Sequence, residues 1–139
     1  IPMSLRQNGQ PVFDRSGARS ALPANPRPVV LIHGLCMNDL QWRADGHDHG
    51  SALARDLGLA PLYLHYNTGR RISSNGRELA ELLQALAEAW PCEIEELTLI
   101  GHSMGGQIAL TLAGTMPDRV EKLVVVDPAA VPARIMTVI

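Results

Sequence analysis

The run Val29-Val30-Leu31-Ile32 has no polar side chain on either face of an extended chain, and it passes through His33 into Gly34. A strand sends successive side chains to opposite faces, so a run that is apolar throughout must be covered from both sides. That places it inside a parallel sheet with helices on each face and excludes a solvated hairpin. Three more runs of strand length follow, at Pro61–Tyr66, Leu97–Ile100 and Lys122–Asp127. Between them lie helical stretches. Ser51–Leu57 is closed by Gly58, and Met104–Met116 carries a second apolar segment. A longer helix is expected to be capped by Asn75, with Glu78 at its third position. Its Leu79, Leu82, Leu83, Leu86 and Trp90 form one stripe at 3.6-residue spacing until Pro91 stops it. Alternating strands and helices predict an α/β fold, a three-layer sandwich around a doubly wound, mostly parallel sheet.

Residues 1–28 hold Gly9, Pro11, Gly17, Pro23, Pro26 and Pro28 among polar side chains. They read as an irregular N-terminal lead-in with one short strand near Val12-Phe13, and 29–139 read as a single core domain. The chain is 46% apolar but only 4% aromatic, so its core must be built from Leu, Val, Ile and Ala. Twelve basic residues against 14 acidic ones give no reason to expect nucleic acid or an anionic membrane as partner. No apolar run approaches the ~18 residues of a membrane span. The first residues lack the apolar stretch of a signal peptide and do not begin with Met, which reads as a processed or trimmed product, cytoplasmic by default. Cys36 and Cys92 are two isolated thiols, expected to be reduced.

Gly101-His102-Ser103-Met104-Gly105 matches G-x-S-x-G, with an apolar strand before it and a helix-compatible segment after it. In that context the serine is a candidate nucleophile. A tight strand-to-helix turn lifts its hydroxyl above the sheet, and glycines on either side let backbone approach backbone. The second motif is His33-Gly34-Leu35-Cys36, at the end of the first strand. Acyl transfer needs preorganised N–H donors for the oxyanion of its tetrahedral intermediate. Met104, the residue after the nucleophile, is one expected donor. The other is Leu35, with Cys36 as second choice. His33 is expected to order this loop, and Trp42 to pack beneath it.

With these motifs the sequence resembles the α/β-hydrolase family, in its lipase and esterase branch. The resemblance rests on Val29–Gly34 with Trp42 downstream, on Leu97–Gly106, and on Met116–Val120 running into Lys122–Pro128; it spans about 100 residues. It implies a serine–acid–histidine triad hydrolysing a small-molecule ester or lipid, with no metal or organic cofactor. The family orders its triad serine, acid, histidine. Here His33, His47, His49, His65 and His102 all precede Ser103. The late strands of the family are also missing, so the fold reads as truncated after the sixth-strand equivalent.

Asp127, at the end of the fourth apolar run, is either the triad acid or an ordinary strand-end residue. His65, at the end of the second run, is a candidate base. His47 and His49 are alternatives in a polar loop, and His102 adjoins Ser103 but is expected to point elsewhere. A histidine from a second chain is a further source, and an uncovered sheet edge is expected to favour a homo-oligomer. The expected function is a serine carboxylic-ester hydrolase working through an acyl-enzyme on Ser103. Two alternatives stay open: a catalytically impaired scaffold that serves as a binding module, and an acyltransferase, thioesterase or perhydrolase on the same frame.

Overall fold

The computed structural model describes residues 1–115, 118, 122–126 and 136–138. The chain begins with Ser4–Gln7 (β1), Gln10–Asp14 (β2) and Gly17–Ala18 (β3), followed by Pro28–Ile32 (β4). A 3₁₀ turn over Asp39–Trp42 leads into the two-residue strands Arg43–Ala44 (β5) and His47–Asp48 (β6), which pair only with each other. Then come His49–Leu57 (α1), Ala60–His65 (β7), Ile72–Ala89 (α2), Thr98–His102 (β8), Met104–Thr115 (α3), Lys122–Val126 (β9) and Met136–Val138 (β10).

Among the described residues the main sheet has eight strands, in the order β10-β9-β8-β4-β7-β1-β2-β3. β4 is parallel to β7 and β8, and β8 is parallel to β9. This is the doubly wound centre expected from the apolar runs, and every residue of β4 is buried. Two cores flank it. Val30, Ile32, Leu62, Leu64 and Leu99 face α2 and α3, meeting Leu79, Leu82, Leu86, Ile108 and Leu112. Val29, Leu31, Leu59 and Tyr63 form the smaller cluster on the other face, beneath Leu53 of α1 and Trp42. Burying each leucine of the α2 stripe contributes roughly 1.5–3 kcal/mol, so packing rather than local propensity holds this helix.

Two expectations are corrected. The stretch 1–28 is not an irregular lead-in. β1 pairs antiparallel with β7 and with β2, and β2 with β3, so it extends the sheet by three strands. Leu5 and Phe13 are fully buried in the larger core, which explains why an otherwise polar segment is ordered there. Asn75 does not cap α2. The helix starts one turn earlier, after Arg71, which offers no side-chain cap. Asn75 lies inside the helix, fully buried, where its amide Nδ2 donates to the Asn67 carbonyl at 3.0 Å and ties down the loop before the helix. Beyond β9, β10 adds one further antiparallel strand to the sheet.

Candidate active site

The sheet registers bring the motifs together. Ile32 of β4 is level with Leu64 of β7 and with Gly101 of β8. The next residue on each strand is a histidine, so His65, His33 and His102 form one row across the carboxyl ends of three adjacent parallel strands. Open α/β sheets carry their functional groups at this edge. Ser103 follows immediately, in the turn between β8 and α3.

Ser103 has φ +55°, the left-handed region that non-glycine residues rarely adopt. The conformation is clamped on both sides. The Ser103 amide donates to the Val126 carbonyl at 3.0 Å, and the Ser103 carbonyl accepts from Gly106 N–H at 3.0 Å. The flanking glycines are required by space. A Cβ on Gly101 would lie 2.6 Å from Gly105 O and from the Gly106 Cα, and one on Gly105 would lie 2.2 Å from Ile32 O. No side chain fits at either position, so α3 starts directly against β4 and β8.

The Gly34 loop stands opposite. A Cβ on Gly34 would be 3.1 Å from the Ser103 Cβ, 3.3 Å from Met37 Sδ and 3.4 Å from His102 Nδ1. Met37 N–H donates to Gly34 O at 3.3 Å, which closes a β-turn with Leu35 and Cys36 at its tip. Cys36 takes φ +58°, its thiol is free and exposed, and Leu35 is also exposed. Met104 opens α3, where the first N–H groups of a helix have no partner inside it and the dipole is positive. Amides from the two motifs thus flank the seryl turn.

His33 is buried, stacked on Tyr66 at 4.4 Å between ring centroids, and its carbonyl accepts from the Tyr66 hydroxyl at 2.5 Å. Its Nδ1 lies 3.0 Å from Gly34 O, so that nitrogen carries the proton and donates. Burial lowers the His33 pKa below its ordinary value, against the opposing pull of the Gly34 carbonyl. The His33 imidazole is thus tied at Nδ1 to the backbone of the Gly34 loop.

His65 is turned to a different partner. Its Nδ1 lies 3.0 Å from Oδ1 of the buried Asp39, which Arg6 approaches at 3.6 Å. β4 separates its strand from that of Ser103, and no hydrogen bond joins the two among the described residues. His47 and His49 meet edge to face at 4.8 Å, and His49 packs on Trp42 at 5.9 Å. Asp127 lies outside the described residues. Sequence reasoning missed Asp39 and Tyr66, which contact His65 and His33 respectively. It also missed the shared register, whose signal was a histidine at the carboxyl end of each of the three apolar runs.

An apolar groove of about 590 Å³ runs along the α1 face past Leu31, Leu53, Ile100 and Val126. It reaches Trp42, His49 and His102, which also line a smaller cavity of about 170 Å³.

The profile of the PGAP1-like alpha/beta domain matches residues 23–137. The abhydrolase domain-containing protein C22H12.03 of Schizosaccharomyces pombe is 32% identical over 114 residues, covering 78% of this chain and 39% of that protein. Esterase YbfF of Escherichia coli is 32% identical over 113 residues, covering 77% and 41%. Lipase BlEst2 of Bacillus licheniformis, in mature form, superposes with a TM-score of 0.59 at 20% identity, covering 84% of this chain and 44% of that one. The chain thus spans about two fifths of the length of these relatives. With its mostly parallel sheet and flanking helices, it belongs to the PGAP1-like alpha/beta domain family of the α/β hydrolases.

Proposed function

We propose that this chain carries the nucleophile half of a serine carboxylic-ester hydrolase. The observation behind the reading is the positive φ of Ser103 in a glycine-walled strand-to-helix turn facing the Gly34 loop. In this reading the Ser103 hydroxyl attacks the ester carbonyl. The N–H groups of Leu35 and Met104 receive the oxyanion, the alcohol departs, and water releases the acid from the acyl-enzyme. The esterase and lipase names of the relatives agree with this chemistry.

The general base is a separate matter. None of the five histidines hydrogen-bonds Ser103 among the described residues, and His65 is held by Asp39. The 139 residues alone are therefore expected to react slowly, by nucleophile and oxyanion stabilisation without efficient proton transfer. In a serine protease stripped of its triad, what remains is still about 10³–10⁴-fold over water. A fluorophosphonate probe and a short-chain p-nitrophenyl ester test the reading. Covalent labelling that disappears in Ser103→Ala supports it; equal labelling or turnover in that variant refutes it. A rate that does not rise between pH 5 and 8 is expected of a site without a titrating histidine base.

A further inference from the structure

The loop that carries Leu35 is held at both ends by two consecutive residues. β7 ends at His65, and Tyr66 follows it. Successive side chains of an extended chain point to opposite sides, so the two reach different places. Tyr66 reaches the start of the loop. It is buried, its ring stacks on His33 at 4.4 Å between centroids, and its hydroxyl donates to His33 O at 2.5 Å. His65 reaches the end of the loop, where its Nδ1 lies 3.0 Å from Oδ1 of the buried Asp39. A carboxylate only accepts, so Nδ1 carries the proton and donates. Arg6 Nη1, at 3.6 Å, is the second partner of the same oxygen. Residues 34–38 lie between the two points of attachment.

Little else fixes that stretch. Leu35, Cys36 and Asn38 are exposed, so side-chain packing does not hold the turn in place. Cys36 also takes φ +58°, a conformation that persists only where its surroundings impose it. The hold on Asp39 is passed back along the chain by a capping box. Asn38 Oδ1 accepts from Leu40 N–H at 2.9 Å, and Gln41 Oε1 accepts from Asn38 N–H at 2.8 Å. The loop in turn borders the nucleophile, since a Cβ on Gly34 would be 3.1 Å from the Ser103 Cβ.

We propose that His65 and Tyr66, with Asp39 as the anchor of His65, are positioning residues that clamp this loop at two points and aim the Leu35 N–H at the seryl turn. The inference rests on the esterase reading for its chemical consequence, while the clamp itself does not depend on turnover.

A clamp acting through one amide has a signature that a merely structural tie lacks. Asp39→Leu fills the buried space without the hydrogen bond, and Tyr66→Phe keeps the ring stack without the hydroxyl. Each is expected to slow Ser103-dependent turnover of p-nitrophenyl butyrate by about 10- to 10²-fold, the upper figure being the cost of misplacing a group by about 1 Å. The loss is expected in kcat with KM unchanged, because the oxyanion develops only towards the transition state. The end-point of fluorophosphonate labelling, which counts folded sites, is expected to match wild type. Asp39→Asn, whose amide oxygen still accepts from His65, is expected to restore most of the rate. In a Leu35→Pro background, which lacks the amide, neither Asp39→Leu nor Tyr66→Phe is expected to cost anything further. Equal losses on both backgrounds, or a lowered labelling end-point, would reveal a tie that only stabilises the fold and would overturn the proposal. The loop is also read without substrate. The heteronuclear ¹H–¹⁵N NOE of the Leu35 amide is expected to fall in Asp39→Leu and in Tyr66→Phe, and to stay at wild type in Asp39→Asn. An amide that remains equally rigid in all three sinks the clamp. Full Ser103-dependent turnover in both disrupting variants sinks the clamp and spares the esterase. A chain without ester turnover in which the amide loosens as expected keeps the clamp and sinks the esterase.

Discussion

Replacing Ser103 by glycine, rather than by alanine alone, separates the cost of the turn from the value of the hydroxyl. Ser103 sits at φ +55°. For an L-residue with a Cβ the left-handed conformation costs about 1–2 kcal/mol. Glycine avoids that cost but is freer in the unfolded chain, which returns roughly 0.5–1 kcal/mol. Ser103→Gly should therefore be about 0.5–1 kcal/mol more stable than Ser103→Ala, both lacking the hydroxyl. For a chain of 139 residues that corresponds to a Tm difference of about 2–4 °C. Thermal unfolding followed by far-UV circular dichroism measures it. Equal Tm values, or an alanine variant more stable than the glycine one, would show that the turn stores no strain. The link between positive φ and a nucleophilic role would then lose its physical basis.

Other perturbations test the neighbouring parts. Leu35→Pro removes one proposed oxyanion donor at the second position of the Gly34–Met37 turn, where proline is well tolerated. The Ser103-dependent rate should fall about 10²–10³-fold, whereas Leu35→Ala, which keeps the amide, should remain near wild type. Gly105→Ala puts a methyl 2.2 Å from Ile32 O and pushes α3 off β4. It should destabilise by about 1–3 kcal/mol in urea titrations and, by misplacing Ser103 about 1 Å, lower the esterase rate on the order of 10²-fold. Burial lowers the His33 pKa, so below an ordinary histidine value of about 6.5 the unfolded chain binds a proton that the folded one refuses. Stability from this group is complete above that pH and is lost as the pH falls through it. A His33→Gln variant should show a shallower Tm decline than wild type between pH 7.5 and 5.

The centre of the fold was legible because β4, β7, β8 and β9 are apolar runs whose environment leaves little choice. The candidate nucleophile was legible because a residue forced into a sharp turn needs glycine neighbours, and spacing records that need. The first 28 residues were harder, since β1 and β2 bury only alternate or paired side chains and carry Arg6, Gln7, Gln10 and Pro11 on the rest. A local cue was present: Asn8 and Gly9, both at positive φ, make the two-residue connection favoured in hairpins. The Asn75 cap was misjudged because Asn–x–x–Glu also occurs inside helices, and only the Asn67 carbonyl explains that side chain. Asp39 reaching His65 across 26 positions could not be read from a linear string.

The central place of β4 has a consequence for biosynthesis. Val30 finds its two neighbours at Leu62 and Leu99, both synthesised well after it. Until the second has left the ribosome, a charge-free segment with strong extended preference waits with at least one row of peptide groups unpaired. Closing those long loops costs entropy before any pairing rewards it, so assembly is slow and the waiting segment is prone to self-association. Because α3 starts directly against β4 and β8, the seryl turn reaches its clamped geometry only once those two strands lie side by side.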